Sequence, residues 1–324
     1  MDDPSQPRIE IFAPFGEAFE LTKKILFQPF DPMKWLVIGF AAWLATFFSG
    51  GGFNYRKGWN TSDWNWKAQH SGVPFSVHNI PPWVIPVIIV GAILLLALIA
   101  VLLWLNARGR FMFTDCIVHN RGAIVVPWRE YRTEGNRYFI LQFVIALCSM
   151  VAFGALALVF VLGSYWKGPF LPLTVLIVFG LGMFLVVIVV SLVMRFAVPV
   201  MYRQRCDAIT AFRQVWALIM ANVGVFVLFV LFYVVISIAG AMIGCLAACV
   251  TCCVAALPYV GTVILLPVVT CLFAYPLCFI RQFGDSYDVF AMVTPAAPLP
   301  PSEPVAPPPP SIPPIQENPP PAAE

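Results

Sequence analysis

Six uncharged apolar runs, at about residues 35–53, 83–105, 138–163, 170–194, 223–250 and 254–280, alternate with short polar segments along the chain. Each approaches or exceeds the roughly 20 residues that an α-helix needs to cross the hydrocarbon layer, so the pattern predicts six transmembrane helices. The first is the weakest, because Gly50, Gly51 and Gly52 thin its end. Asp2 and Asp3 open the chain and no apolar run precedes Trp35, which is unlike the basic, early-apolar layout of a cleavable leader; the first run is expected to remain in the mature protein.

The segments between the runs are patterned too. Phe12, Phe15, Phe19, Thr22 and Leu26 keep helical spacing on one face, with Glu17, Glu20 and Lys24 on another. Pro127 and Gly135 suit the first position and the residue past the end of a short helix that carries Trp128 and Tyr131. Ile209, Phe212, Trp216 and Ile219 form a third stripe, with Arg205, Arg213 and Gln214 elsewhere. Helices of this kind lie in the membrane interface. An all-α integral membrane protein is therefore expected, with six spans in three repeated units of amphipathic interfacial helix plus helical hairpin. Landmarks support a repeat of about 86 residues. Pro86, Pro172 and Pro258 begin alternate spans, Asn136 and Asn222 precede the others, and Arg110, Arg195 and Arg281 close the returning ones. Phe196-Ala-Val-Pro-Val-Met-Tyr also parallels Phe273-Ala-Tyr-Pro-Leu-Cys-Phe.

Composition sharpens this picture. Of 324 residues, 60% are hydrophobic and 11% charged, against about 45–50% and 25% in soluble domains, which excludes a water-soluble enzyme or a nucleic-acid module. The net charge of +3 matters less than its placement. Fifteen of the 19 Lys and Arg fall on one side of the six-span layout, and only Arg56, Lys57, Lys67 and Lys167 on the other. By the positive-inside rule both termini face the cytoplasm, as in a multi-pass protein of the cell's inner membrane. The expected division is an N-terminal cytoplasmic segment at residues 1–33, a membrane domain at 34–283 and a disordered tail at 284–324. The tail is nearly half proline from residue 295 and is a candidate docking segment for a protein partner, with a passive spacer as the plainer reading.

The stretch Arg195-Phe-Ala-Val-Pro-Val-Met, followed by Asp207-Ala-Ile-Thr-Ala-Phe-Arg-Gln-Val-Trp-Ala-Leu-Ile-Met-Ala-Asn and a long apolar run, resembles the six-span membrane domain attached to some bacterial glycerophosphodiester phosphodiesterases and its stand-alone relatives of unknown function. The likeness covers roughly residues 10–285. It implies a membrane domain of that type and no catalytic residues, since the soluble phosphodiesterase domain has no counterpart here.

Candidate chemistry is sparse. None of the 16 acidic residues lies in an expected span, which weakens a proton-coupled or ion-coupled transporter. Asp115, Cys116 and His119 cluster after the second span and read as a solvated loop rather than a metal site; Cys245, Cys249, Cys252 and Cys253 read as a small-residue packing ridge with Gly240 and Gly244. Pro267 and Pro276 read as kinks satisfied by neighbouring helices. Tyr55, Trp59, Trp64 and Trp66 suit an aromatic belt, and Asn60-Thr61-Ser62 matches a glycosylation pattern. No cofactor or metal site and no catalytic set is expected. The side chains that carry an expectation are Arg110, Arg195, Arg205, Arg213 and Arg281, placed to meet anionic lipid headgroups. Organisation of lipid or partner proteins at the cytoplasmic face is the expected function, and transport of a lipid or small amphiphile is the alternative.

Overall fold

The computed structural model describes residues 9–47, 83–167, 170–251 and 257–292. Among these residues there are α-helices and no strand: α1 (Phe12–Phe27), α2 (Pro32–Thr46), α3 (Val84–Val118), α4 (Val125–Glu130), α5 (Arg132–Lys167), α6 (Phe170–Gln204), α7 (Ala208–Ala221), α8 (Val223–Val250), α9 (Pro258–Ile264) and α10 (Leu266–Ile280). Three 3-10 turns follow between Arg281 and Met292. Five helical stretches are long and apolar enough to cross a membrane: Val84–Val118, Arg132–Phe160, Thr174–Gln204, Val223–Val250 and Leu266–Phe283.

The expected spans at both ends of the set come out differently. Asp31 caps α2, its Oδ1 accepting from the Met33 N–H at 2.9 Å, and Pro32 supplies a first-turn residue that needs no donor. The helix has 15 residues, about 22 Å at 1.5 Å per residue, short of the roughly 30 Å hydrocarbon layer. Its last carbonyls are taken up by another helix, because Asn106 Nδ2 of α3 donates to Leu44 O and Ala45 O, both at 2.9 Å. Gly109 makes that approach possible: a Cβ there would lie 2.6 Å from Leu44 Cβ and 2.8 Å from the Leu44 carbonyl carbon.

The last expected span is broken into α9 and α10 at Leu265. Pro267 has no N–H for the carbonyl four residues back, Val263, and Trp35 Nε1 of α2 donates to that oxygen instead, at 3.0 Å. The two short helices α2 and α9 are thereby tied together, and Tyr259 OH adds a 3.2 Å bond to Leu36 O.

The buried core sits at the basic ends of the long helices. On α3 it begins at Leu103 and runs to Val118; on α6 it covers Val193, Met194 and most of Phe196–Tyr202; on α10 it takes in Ala274–Ile280. An aromatic cluster of Phe196, Phe226, Phe229, Tyr275 and Phe279 joins α6, α8 and α10, with Phe229 and Phe279 centroids 4.5 Å apart. Beyond the core the helices are bare. The most apolar 18-residue windows of α3, α5 and α6 contain no buried residue, while that of α10 is 61% buried. The bare part of α3, Val84 to Leu102, is about 28 Å long, close to the hydrocarbon thickness.

The expected apolar stripes divide: Thr22, Leu26 and Ile219 are buried, and the bulkier Phe12, Phe19, Ile209 and Trp216 are exposed. Phe12 and Phe19 of α1 are 72% and 56% exposed, and the face packed against α10 is Pro14, Ala18, Thr22 and Ile25. On α7, Ile209 is exposed and Trp216 is 41% exposed, while Ala208, Ala211, Val215 and Ile219 are buried. Small residues permit close approach to protein, and bulky ones are left for the surroundings. The second expected interfacial helix is only α4; Gly135 lies inside α5, where its missing Cβ leaves room for the Arg108 side chain. Residues 284–292, assigned by composition to the tail, pack against the bundle: Val289 is buried and Gln204 Nε2 donates to Ser286 O at 3.2 Å. The proline-rich remainder, the tryptophan-rich loop with the Asn60 pattern and with His70 and His78, and Cys252 and Cys253 lie outside the described residues.

Candidate functional site

Arg110 and Arg195 both line one small cavity of about 60 Å³ between α3, α6, α8 and α10. Its wall is otherwise made by Thr46, Tyr233 and apolar side chains, together with Pro199 and Pro276, and no acidic residue lines it. Each proline has a local consequence. Pro199 lies inside α6 and Pro276 inside α10, so neither supplies the N–H that would meet the carbonyl four residues back, Arg195 and Leu272 respectively. Both of those residues line the cavity. The paired Phe-Ala-x-Pro motifs noted in the sequence thus meet at one place.

The two arginines are held differently. Arg110 NH1 donates to Tyr138 OH at 3.0 Å, and Tyr138 OH donates onward to Met194 O at 3.2 Å, which locks α3, α5 and α6 together beside the cavity. The Arg195 guanidinium lies 4.2 Å from the centre of the Tyr233 ring, and among the described residues no carboxylate is within ion-pair distance of it. A cation over an aromatic face keeps its charge and its in-plane donors, so this arrangement orients Arg195 without neutralising it.

The other expected headgroup residues are placed elsewhere. Arg205 lies over the Tyr131 ring at 3.9 Å and pairs with Glu130 and, at 3.5 Å, with Glu134. Arg281 pairs with Glu17 at 3.4 Å. Arg213 is exposed on α7. Of the five expected residues the fold brings together only Arg110 and Arg195.

A second polar cluster corrects the reading of residues 115–119 as a solvated loop. Asp115 is 0% exposed. Its carboxylate accepts from Arg121 Nε and NH2 at 3.1–3.2 Å and from Tyr202 OH at 3.0 Å, with His119 Nδ1 3.0 Å away. Tyr131 stacks on Tyr202 with centroids 4.5 Å apart, so the cluster continues to Arg205. Burial pushes the Tyr131 hydroxyl up from its ordinary value, partly offset by its hydrogen bond with Tyr202. α3 continues through Val118, far past its apolar run, so Asp115 is carried inside the packed region rather than released into a loop. Nothing in the sequence around Asp115 announces this, because Tyr202 comes from 87 residues away.

Arg108 is a further residue that sequence reasoning did not single out. Its guanidinium sits between the rings of Trp104 and Trp128, at 4.7 and 4.9 Å, and donates to Asn136 Oδ1 at 3.0 Å. Trp104 Nε1 donates to the same oxygen, also at 3.0 Å. This cage pins α3 to α4 and α5.

Beside the arginine cavity lies an apolar groove of about 290 Å³, walled by α1, α8 and α10 and lined by Phe19, Ile236, Ala239, Gly240, Val268 and Leu272 among others. Leu272 lines both spaces. Among the described residues no group of three or more His, Cys, Asp or Glu is placed to hold a metal ion.

With this geometry in hand, comparison with known families is informative. A family model matches residues 10–294, nearly the whole described region. The chain belongs to DUF7544, a family of unknown function. The DUF7544 match covers every residue of the cavity, the groove and the Asp115 cluster. No curated protein and no solved structure matches the chain.

Proposed function

We propose that this protein is a non-catalytic membrane protein that gathers anionic lipid at its basic face. The observation that carries the reading is the cavity lined by both Arg110 and Arg195 with no carboxylate in its wall. A phosphate is the complementary partner for such a pair, because guanidinium groups present several donors in one plane. Their depth supports the reading. The cavity lies just past the end of the bare, hydrocarbon-length part of α3 and α6, which is the level of lipid headgroups.

In this proposal the basic ends face the cytoplasm, both termini lie there, and the membrane is the cell's inner membrane, as the skew of Lys and Arg suggests. The three-unit, six-span plan belongs to the proposal as well: α2 and the α9–α10 pair are its shortened first and divided last spans, and Arg110 and Arg195 are equivalent landmarks of two units. Kinship with the phosphodiesterase-linked membrane domains is proposed on the same footing, supported by residues 195–222, which furnish part of the cavity wall and all of α7. Docking of a protein partner on the proline-rich tail is a further part of it.

Transport of an amphiphile is the second reading, favoured by the lateral groove and by the helix break at Leu265. Binding is preferred. A transport path needs walls along the whole helix length, and the bare halves of α3, α5 and α6 bury no residue in their most apolar windows.

The test is lipid enrichment around the full chain in nanodiscs of phosphatidylcholine with a minor fraction of phosphatidylglycerol. The protein is expected to retain phosphatidylglycerol through washing, and the R110Q/R195Q double variant to lose most of that preference at low salt. Equal retention by both would sink the reading. Flux of labelled lipid across proteoliposomes that the double variant abolishes would replace it with transport.

A further inference from the structure

The arginine cavity and the neighbouring groove adjoin along the same two helices. On α8 the cavity takes Tyr233, and the groove takes Ile236, Ala239, Gly240 and Ile243, each further from the basic end. On α10, which runs the other way, the cavity takes Leu277, Pro276, Phe273, Leu272 and Val269, and the groove takes Leu272, Cys271, Val268 and Pro267, so that the two spaces overlap around Leu272. Along α8 the order is therefore charged, then apolar, in the direction leading from headgroup level toward the bare helix halves, while on α10 the two spaces lie side by side and Lys23 of α1 stands at the groove wall. Gly240 sets the width at that point: a Cβ would come within 2.9 Å of Val268 Cγ1 and 3.5 Å of Leu272 Cδ1, so the α8–α10 seam is already closed down to a glycine there. Across the groove from this seam stand Phe15, Phe19 and Phe27 of α1. Phe15 also packs against the core, while the exposed Phe19 and Phe27 have this groove as their neighbour.

We infer that cavity and groove are the two halves of one site for an anionic glycerophospholipid, the phosphate held by Arg110 and Arg195 and one acyl chain lying in the α1–α8–α10 groove. This rests on the headgroup reading proposed above and adds what that reading leaves open, the class of ligand and the path of its chain. Charge selects the occupant, because a neutral amphiphile leaves the unneutralised Arg195 without a counter-ion in a mostly apolar wall. The groove distinguishes a lipid from a bare anion, because an acyl chain can lie along its apolar wall and a free phosphate makes no contact there. The amphipathic α1 then acts as the outer wall of a lipid site as well as an interfacial helix.

The experiment uses the full chain in phosphatidylcholine nanodiscs that contain phosphatidylglycerol carrying a diazirine midway along one acyl chain, with labelled peptides mapped by mass spectrometry. Label is expected on α8 and α10 around Ile236–Ile243 and Val268–Leu272. R110Q/R195Q should lower it several-fold, and Ala239→Trp, a change at an exposed groove position, should lower it while leaving thermal unfolding in place. A phosphatidylcholine probe of the same design should label these peptides weakly in every variant. If the neutral probe labels the groove as strongly as the anionic one, or Ala239→Trp leaves labelling intact, the two-part site is wrong. If glycerol 3-phosphate displaces the lipid as well as phosphatidylglycerol itself does, the site takes a soluble phosphate ester and the chain has no part in it. Loss of groove labelling in Ala239→Trp with headgroup preference intact supports the division of labour. Unchanged phosphatidylglycerol retention in R110Q/R195Q removes the headgroup reading itself.

Discussion

The two ends of α3 are made of different physics. From Val84 to Leu102 the helix is a bare apolar rod on which Gly91 has nothing within 4 Å of a Cβ position. From Leu103 to Val118 the same helix meets protein on most sides, and it carries Asn106, Arg108, Arg110 and Asp115, each satisfied at least in part by a group from another segment of the chain. The contrast teaches where specificity resides. Lipid tails are as apolar as leucine, so the bare half gains little by packing and needs only length and hydrophobicity. The basic end needs particular partners at particular distances, and there a single change leaves a buried polar group stranded.

The largest expected effect is therefore at Asp115. Its carboxylate is buried while Arg121, on the other side of the pair, is partly exposed, and removing the buried partner takes from Arg121 its carboxylate and leaves Tyr202 OH with His119 Nδ1, 3.3 Å away. Asp115→Ala should cost about 2–4 kcal/mol, read as loss of unfolding free energy in mild detergent. An equally stable variant would mean that the cluster is incidental.

Next comes a matched pair of glycines. Gly109→Ala must push a Cβ into the backbone of Leu44, and overpacking of that kind costs about 1–3 kcal/mol. Gly154→Ala, on the bare part of α5, meets nothing within 4 Å and should change the midpoint little or raise it slightly, since alanine is the better helix former. A Gly154 variant that destabilised the protein in bilayers would show that something covers that face. Asn106→Leu should follow, with a cost of about 1–3 kcal/mol from the stranded Leu44 and Ala45 carbonyls, measurable as faster hydrogen exchange at the end of α2. Smallest is Trp35→Phe, which removes the donor to Val263 O but keeps an aromatic ring; about 1 kcal/mol is expected, with loosening confined to the α9–α10 joint.

The same contrast explains what the sequence can and cannot disclose. Long helices are readable because a bare apolar rod is written in consecutive residues, whereas the Phe-Ala-x-Pro pair reads as a repeat landmark and gives no sign that Arg195 and Pro276 line one cavity. The length of α2 was not readable, since Asn106 and Gly109, which meet its end, lie some 60 residues further along the chain. The apolar stripes of α1 and α7 divide between two surroundings for a related reason. Hydrophobic spacing identifies an apolar face but does not distinguish lipid or groove from protein, and in both helices the small residues face the protein while Phe12, Phe19 and Trp216 do not. Asp115 looked solvated because its apolar run ends ten residues earlier, whereas its burial depends on Tyr202 and Arg121 being folded over it. Among five candidate arginines, Arg205 and Arg281 were indistinguishable from Arg195 until their carboxylate neighbours were placed.

The central claim is that a lipid phosphate sits between Arg110 and Arg195, and solid-state NMR tests it most directly. With guanidinium nitrogens labelled and the full chain in phosphatidylcholine–phosphatidylglycerol bilayers, dipolar coupling between arginine nitrogen and lipid phosphorus should be present at the Arg195 resonance and lost in Arg195→Gln. It should persist for Arg195 at moderate salt, when exposed Arg213 no longer shows it, because a partly enclosed pair is screened less than a surface charge. No coupling at Arg195, or coupling that fades with salt as it does at Arg213, would contradict the account.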